Sequence, residues 1–299
     1  MSARHKMDPA SVVDVNKPKY PPLHIVHPTK SHKQTILMIH GLGSSGPIFE
    51  QAFFASKTSQ HFRDRFPHAR WVFPSAPLRH VQRWNDTRPA WFNIASFTDL
   101  EKDQQVQMEG LRQSVAYLGR CIDDEVARLD ESGRSAKDLV VIARSQGSSA
   151  MVWTLLSTLK QSIGGVVLTG SWLVFARALT LWMDDNGADD ATGTCVGNNI
   201  APGVDASGFV SSVLQEKKDL LLRGEHPLQL TSILMGHCTT DEWINVSLGR
   251  QMRDTLKRVG CNVVWNEYEH AADEGHWLAE PDEFNAIADF MEMRLEAPR

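Results

Sequence analysis

The chain alternates between two kinds of segment. Short, nearly unbroken apolar runs recur at residues 23–27, 35–40, 70–74, 139–143, 164–169, 230–235 and 261–267. Strands buried on both faces of a parallel sheet read this way, because neither face is left for polar side chains. Between the runs lie longer stretches with helical periodicity. Met108, Leu111, Val115, Leu118, Ile122, Val126 and Leu129 recur every three or four residues and predict one apolar stripe. Leu248, Met252 and Leu256 repeat the pattern, as do Phe284, Ile287, Met291 and Leu295 after Pro281. Strands alternating with amphipathic helices predict a doubly wound, mostly parallel α/β sheet with flanking helices. In such sheets the chemistry sits at the carboxyl ends of the strands.

Two segments stand apart. Residues 1–20 are polar, carry Pro9 and Pro18, and predict a flexible N-terminal arm ahead of a single domain over 21–299. Residues 184–207 are rich in Gly, Asp, Asn and Ala, and a short helical pattern follows to about 222. A loop of that length between two strands is either functional or an idle insertion, and 184–222 is expected to form a lid beside the strand ends.

The strand-end rule directs attention to LVVIARSQGSSA (139–150), where an apolar run stops and a helical pattern starts. Ser145 at that junction fits the nucleophile elbow, which needs a strand, a sharp turn, a helix and small residues two positions either side of the serine. Gly147 meets the last condition, and Ala143 exceeds it by one methyl group. The competing reading is a serine that caps a helix. A serine hydroxyl also needs a base to take its proton. Downstream, Asp241 follows the run 230–235 and His276 follows the run 261–267, each on a loop at the same strand-end edge. The order Ser, Asp, His is that of the α/β-hydrolases. Glu242 is the alternative acid and His270 the alternative base; Asp241 is otherwise a helix cap, and His276 otherwise one of 12 histidines.

An oxyanion needs donors. The backbone N–H of Gln146, directly after the serine, supplies one, and that of Leu42 in the glycine-rich turn after 35–40 supplies the other. Gly41, Gly43 and Gly46 also match G-x-G-x-x-G, but the next strand carries no acid for a ribose and a P-loop lysine is missing, which argues against nucleotide binding.

Five blocks together resemble the acyl-protein thioesterase/carboxylesterase (phospholipase/carboxylesterase) family of the α/β-hydrolase superfamily. They are TILMIHGLGSSG (35–46), WVFPSAPLRHV with PAWFNI (71–94), EGLRQSVAYLGRCIDDEVA (109–127), ARSQGSSA (143–150), and the pair GHCTTD and GHWLAEPDEF. The resemblance implies an α/β-hydrolase fold and hydrolysis of esters or thioesters, including acyl groups on protein cysteines, without metal or cofactor. By position it assigns Ser145, Asp241 and His276 to the triad, and Leu42 and Gln146 to the oxyanion hole. Ala143, Arg144, Asn93 and Cys238 depart from the family pattern. Trp84, Trp91, Trp172 and Trp277 fall near the strand ends and are expected to wall a substrate pocket or to pack the core, and Arg144 to meet an anionic group or to pair within the fold.

Composition narrows the rest. With 299 residues, 42% hydrophobic and a net charge of −5, no basic stripe invites nucleic acid and no apolar run is long enough to cross a bilayer. The partner that the resemblance implies is an acylated protein, lipid or small-molecule ester. Cys121, Cys195, Cys238 and Cys261 are widely spaced and are expected as free thiols in the cytoplasm, and the N-terminus lacks the apolar core of a secretory signal.

Overall fold

The computed structural model describes residues 18–187 and 205–295. Nine strands occur among them: β1 (His24–Val26), β2 (Gln34–Ile39), β3 (Ala69–Phe73), β4 (Leu78–Val81), β5 (Asp86–Pro89), β6 (Leu139–Arg144), β7 (Gly165–Thr169), β8 (Ser232–Cys238) and β9 (Asn262–Tyr268). The α-helices are α1 (Gly46–Ala55), α2 (Phe62–Arg65), α3 (Gln105–Glu131), α4 (Gln146–Thr158), α5 (Ala176–Gly187), α6 (Ala206–Leu214), α7 (Lys218–Arg223), α8 (Val246–Arg258) and α9 (Asp282–Leu295).

Seven strands form one sheet in the order β1-β3-β2-β6-β7-β8-β9. Only β1 runs antiparallel to its neighbour. The expected mostly parallel α/β sheet is what the chain forms, and every apolar run named above contributes a strand to it. Its central strands are fully buried: Ile36, Leu37, Met38 and Ile39 are 0% exposed. Successive side chains point to opposite faces, so Leu37 and Ile39 join one core with α3, α4 and α8, while Ile36 and Met38 join another with α1 and α9. Each fully buried aliphatic side chain contributes about 1.5–3 kcal/mol, and two cores fix the sheet from both sides.

The small antiparallel hairpin of β4 and β5 is an element the apolar pattern did not reveal, because its strands are short and mostly exposed or half-buried. It carries Trp84 in its turn and Arg88 on its second strand. The described part of the 184–222 segment packs on the core. Phe209 of α6 is buried against Trp153 of α4 and Phe175, with ring centroids 5.3 and 5.0 Å apart. Residues 188–204 of the expected lid, nearly all of the expected N-terminal arm and Cys195 lie outside the described residues. Cys121, Cys238 and Cys261 are free and buried. No helix among the described residues is long and apolar enough to cross a membrane.

An ion pair between α3 and β3 lies inside the fold. Glu125 of α3, with 3% of its side chain exposed, accepts Arg70 Nε of β3 at 3.0 Å and pins the helix to the sheet. Removing one member leaves an uncompensated buried charge. Glu125→Ala is therefore expected to destabilise the protein by about 3–5 kcal/mol in chemical denaturation, with Arg70→Met/Glu125→Leu recovering most of the loss.

Candidate active site

β6 ends at Arg144 and α4 begins at Gln146, so Ser145 must reverse the chain within one residue. It does so at φ 54°, ψ −127°, a conformation a serine holds only when its surroundings enforce it. Its N–H donates to Thr169 O of β7 at 2.9 Å, and its carbonyl accepts Ser148 N at 3.0 Å. Two glycines make room. A side chain at Gly147 would strike the carbonyl oxygen of His40, and one at Gly41 would lie 3.1 Å from Ser145 Cβ. Ala143, the departure on the strand side, sits 0% exposed in the core with its methyl group accommodated. Ser145 makes no side-chain cap hydrogen bond to α4, so the capping alternative does not describe it.

The three loops converge. Ser145 Oγ lies 3.0 Å from His276 Nε2, and His276 Nδ1 lies 2.7 Å from Asp241 Oδ2. Asp241 does not cap α8, whose N-cap is Asn245. Its Oδ1 accepts the N–H groups of Trp243 at 2.9 Å and Ile244 at 2.8 Å. The alternatives Glu242 and His270 are exposed.

The electrostatics follow from burial. Desolvation alone would raise the Asp241 carboxyl, but hydrogen bonds from His237 and His276 and from the Ile244 N–H outweigh it and hold the group well below the ordinary range. Asp241 thus stays ionised. Burial lowers the His276 imidazole, and the Arg144 cation lowers it further against the opposing pull of Asp241. Glu283, buried beside Gly236, is pushed up to about 7 by desolvation. The site therefore presents a neutral imidazole on a serine hydroxyl, backed by a fixed negative charge. That arrangement can take the hydroxyl proton and stabilise the resulting imidazolium.

The turn after β2 faces this group. Leu42 and Ser145 line the same cavity, of about 230 Å³. Gln146 is the first residue of α4, so its N–H has no carbonyl four residues back to bond. The sequence reading missed what holds this turn. His40 Nδ1 donates to Gly41 O at 2.6 Å, and its Nε2 accepts Ala76 N at 3.0 Å. Complete burial lowers its pKa to about 4, so it remains neutral. The Gln146 side chain accepts Trp91 N at 2.9 Å and donates to Phe92 O at 2.8 Å, tying the elbow to the loop after β5.

The expected aromatic wall is only partly there. Trp84 lines the cavity, with Phe97 and Trp243, which the sequence reading did not single out. Trp91 and Trp172 are 0% exposed and serve the core: Trp91 Nε1 donates to His40 O at 2.8 Å, and Trp172 packs edge-on to Phe97. Trp277 lies under Arg144, whose guanidinium carbon is 4.7 Å from the ring centroid, and does not line the cavity. Strand-end position did not separate these cases because the sheet's core reaches up to its rim. Arg144 does line the cavity, while its Nη2 donates to the carbonyl of His276.

Comparison with known proteins gives a consistent picture. The model of the phospholipase/carboxylesterase family matches residues 21–184. Acyl-protein thioesterase 1 of Cryptococcus neoformans is 25% identical over 169 residues, 55% of this chain and 65% of that protein. The chain thus spans just under two-thirds of the length of this curated relative in the match. Acyl-protein thioesterase 1 of Neurospora crassa is 25% identical over 280 residues, 92% of either chain. Among solved structures, acyl-protein thioesterase 2 of Zea mays shares the fold, with a TM-score of 0.60 at 22% identity over 92% of this chain and all of that one.

The crowding at the elbow is testable without any substrate. Gly147→Ala forces its new methyl group against the His40 carbonyl, and the fold has to yield. We expect a loss of about 1–3 kcal/mol or more in thermal or urea unfolding, whereas Ala143→Gly costs less than about 2 kcal/mol.

Proposed function

The chain belongs to the phospholipase/carboxylesterase family, and on that premise we propose that it is a serine hydrolase cleaving carboxylic esters or thioesters through an acyl-enzyme. The observation that carries this reading is the unbroken series Ser145 Oγ, His276, Asp241, at 3.0 and 2.7 Å, on a serine whose backbone is held in a strained turn. In this reading Ser145 attacks the acyl carbonyl while His276 Nε2 takes its proton. The N–H groups of Leu42 and Gln146 hold the oxyanion. His276 then returns the proton to the departing alcohol or thiol, and water repeats the sequence on the acyl-serine. Asp241 fixes the imidazole with Nδ1 as donor and offsets its positive charge. None of these steps calls on a metal or cofactor.

The names of the relatives support a thioester on an acylated protein as the substrate. The cavity supports a smaller one. At about 230 Å³ it falls below the roughly 300–1,000 Å³ typical of small-molecule sites, which favours a short acyl group over a long lipid chain. Turnover of p-nitrophenyl butanoate compared with a palmitoylated peptide separates the two.

Ser145→Ala is expected to lower kcat for p-nitrophenyl butanoate by about 10⁴–10⁶-fold and to abolish fluorophosphonate labelling. Full activity in that variant, or labelling at another residue, overturns the reading. The pH profile provides a second check. His276 must be neutral to accept a proton, and its pKa is depressed below the usual 6.5. Hence kcat/KM is expected to stay level through neutral pH and to fall only as pH drops through a value below 6.5; a limb above 6.5 contradicts the assignment.

A further inference from the structure

Two arginines line the cavity that Ser145 opens into, and neither is fully paired by the protein. Arg144 directly precedes the nucleophile. Its side chain is 11% exposed, and Nε is buried without a hydrogen-bond partner. Burying a guanidinium is costly unless an anion compensates it. The carboxylates around it do this poorly. Asp273 is 3.8 Å away with 64% of its side chain in solvent. Asp241 is already engaged by His237 and His276. Glu283 is buried and pushed toward its neutral form at pH 7. Arg144 also makes His276 harder to protonate, which opposes the second half of base catalysis. A buried cation whose nearest carboxylate is distant and largely solvated is explained by an anion that arrives.

Arg88 approaches the cavity from the hairpin. Its guanidinium carbon lies 4.3 Å from the centroid of the Trp84 ring, which holds its plane, and Nη2 pairs with Asp86 at 2.7 Å. Its Nε is likewise buried and unpartnered. Trp84 and Phe97 provide apolar wall between polar groups. Among the ionisable residues lining the cavity, Arg88 and Arg144 face one acid, Asp273, and the neutral His276.

We infer that the site selects short esters or thioesters carrying a second, anionic group, a carboxylate within a few atoms of the scissile carbonyl, with Arg144 and Arg88 as its binding residues. The inference rests on the hydrolase reading of Ser145. The carboxylate belongs either to the acyl half of the substrate or to its leaving group, and paired probes distinguish these.

Monoethyl succinate against ethyl butanoate tests the acyl half, by pH-stat. S-butanoyl-3-mercaptopropionate against S-propyl butanethioate tests the leaving group, by thiol release. Wild-type kcat/KM is expected to favour the anionic member of at least one pair by about tenfold or more, the scale of a hydrogen bond to a charged group. Arg88→Gln and Arg144→Gln are expected each to reduce that preference by about fivefold or more. Neutral members hydrolysed as well as the anionic ones in both pairs overturn the inference and leave the hydrolase reading standing. A preference unchanged in both variants overturns the role of the arginines. No turnover of any probe, with no fluorophosphonate labelling of Ser145, overturns the hydrolase reading and this inference with it. The wild-type comparison decides the matter even if a variant fails to fold.

Discussion

The site depends on one steric constraint, the reversal of the chain at Ser145. The strand β6 lies between β2 and β7 in the middle of the sheet, and α4 must pack back over it within a single residue. That forces Ser145 to φ 54° and lifts its hydroxyl clear of both elements. The crowding is relieved only where side chains are absent, at Gly147 against the His40 carbonyl and at Gly41 against Ser145 itself. The same closeness brings Leu42 to the cavity and leaves the Gln146 N–H free of an intrahelical partner. The strained turn at Ser145, the place of Leu42 and the unbonded Gln146 N–H are thus consequences of one packing problem, and the two cores pressing on the sheet hold its solution in place.

Electrostatics complete what the turn begins. Asp241 is buried yet ionised because it collects two imidazoles and two backbone N–H groups. That fixed charge orients His276 and opposes, without cancelling, the lowering due to burial and Arg144. The loop carrying His276 is itself strained, with Asp273 and Glu274 at φ 56° and 53°. It is tied down by hydrogen bonds from His276 N to Asp273 O and from Glu242 N to Glu274 O, and by the Arg144 side chain on the His276 carbonyl. Arg144 therefore binds the loop of His276 with one edge while its Nε remains without a partner.

How much of this was legible in the sequence follows from the kind of signal each residue gives. The buried strands announced themselves as continuous apolar runs, and the strand-end rule then located Ser145, Asp241 and His276, whose convergence no single motif implied. His40 was not legible as a positioning group, because a buried neutral histidine leaves no mark in composition. Nor was the side chain of Gln146, whose bonds run to the backbone of Trp91 and Phe92. The hairpin of β4 and β5 escaped notice because its side chains are mostly exposed or half-buried and lack the period of a buried strand. The tryptophans were legible as strand-end residues but not as wall or core: Trp91 and Trp172 differ from Trp84 only in tertiary position.

That last distinction bears on where selectivity resides in this fold. The sheet and α4 dictate the position of Ser145, and little there can change without losing the turn. The cavity is lined instead from the periphery, by Trp84 and Arg88 of the hairpin, Phe97 of the loop that follows, and Trp243 and Asp273 of the loops after β8 and β9. These elements are short and partly exposed, although Trp84 and Phe97 pack against the first core, so their exposed side chains can change at smaller cost in stability than the elbow. Arg144 is the exception, since it lies on β6 itself. A charged residue at so constrained a position, bonded to the loop of His276 and open to the cavity, links the elbow to the peripheral loops. In the proposed reading the strand on which Arg144 stands sets the reaction, and the loops it faces set the choice of substrate.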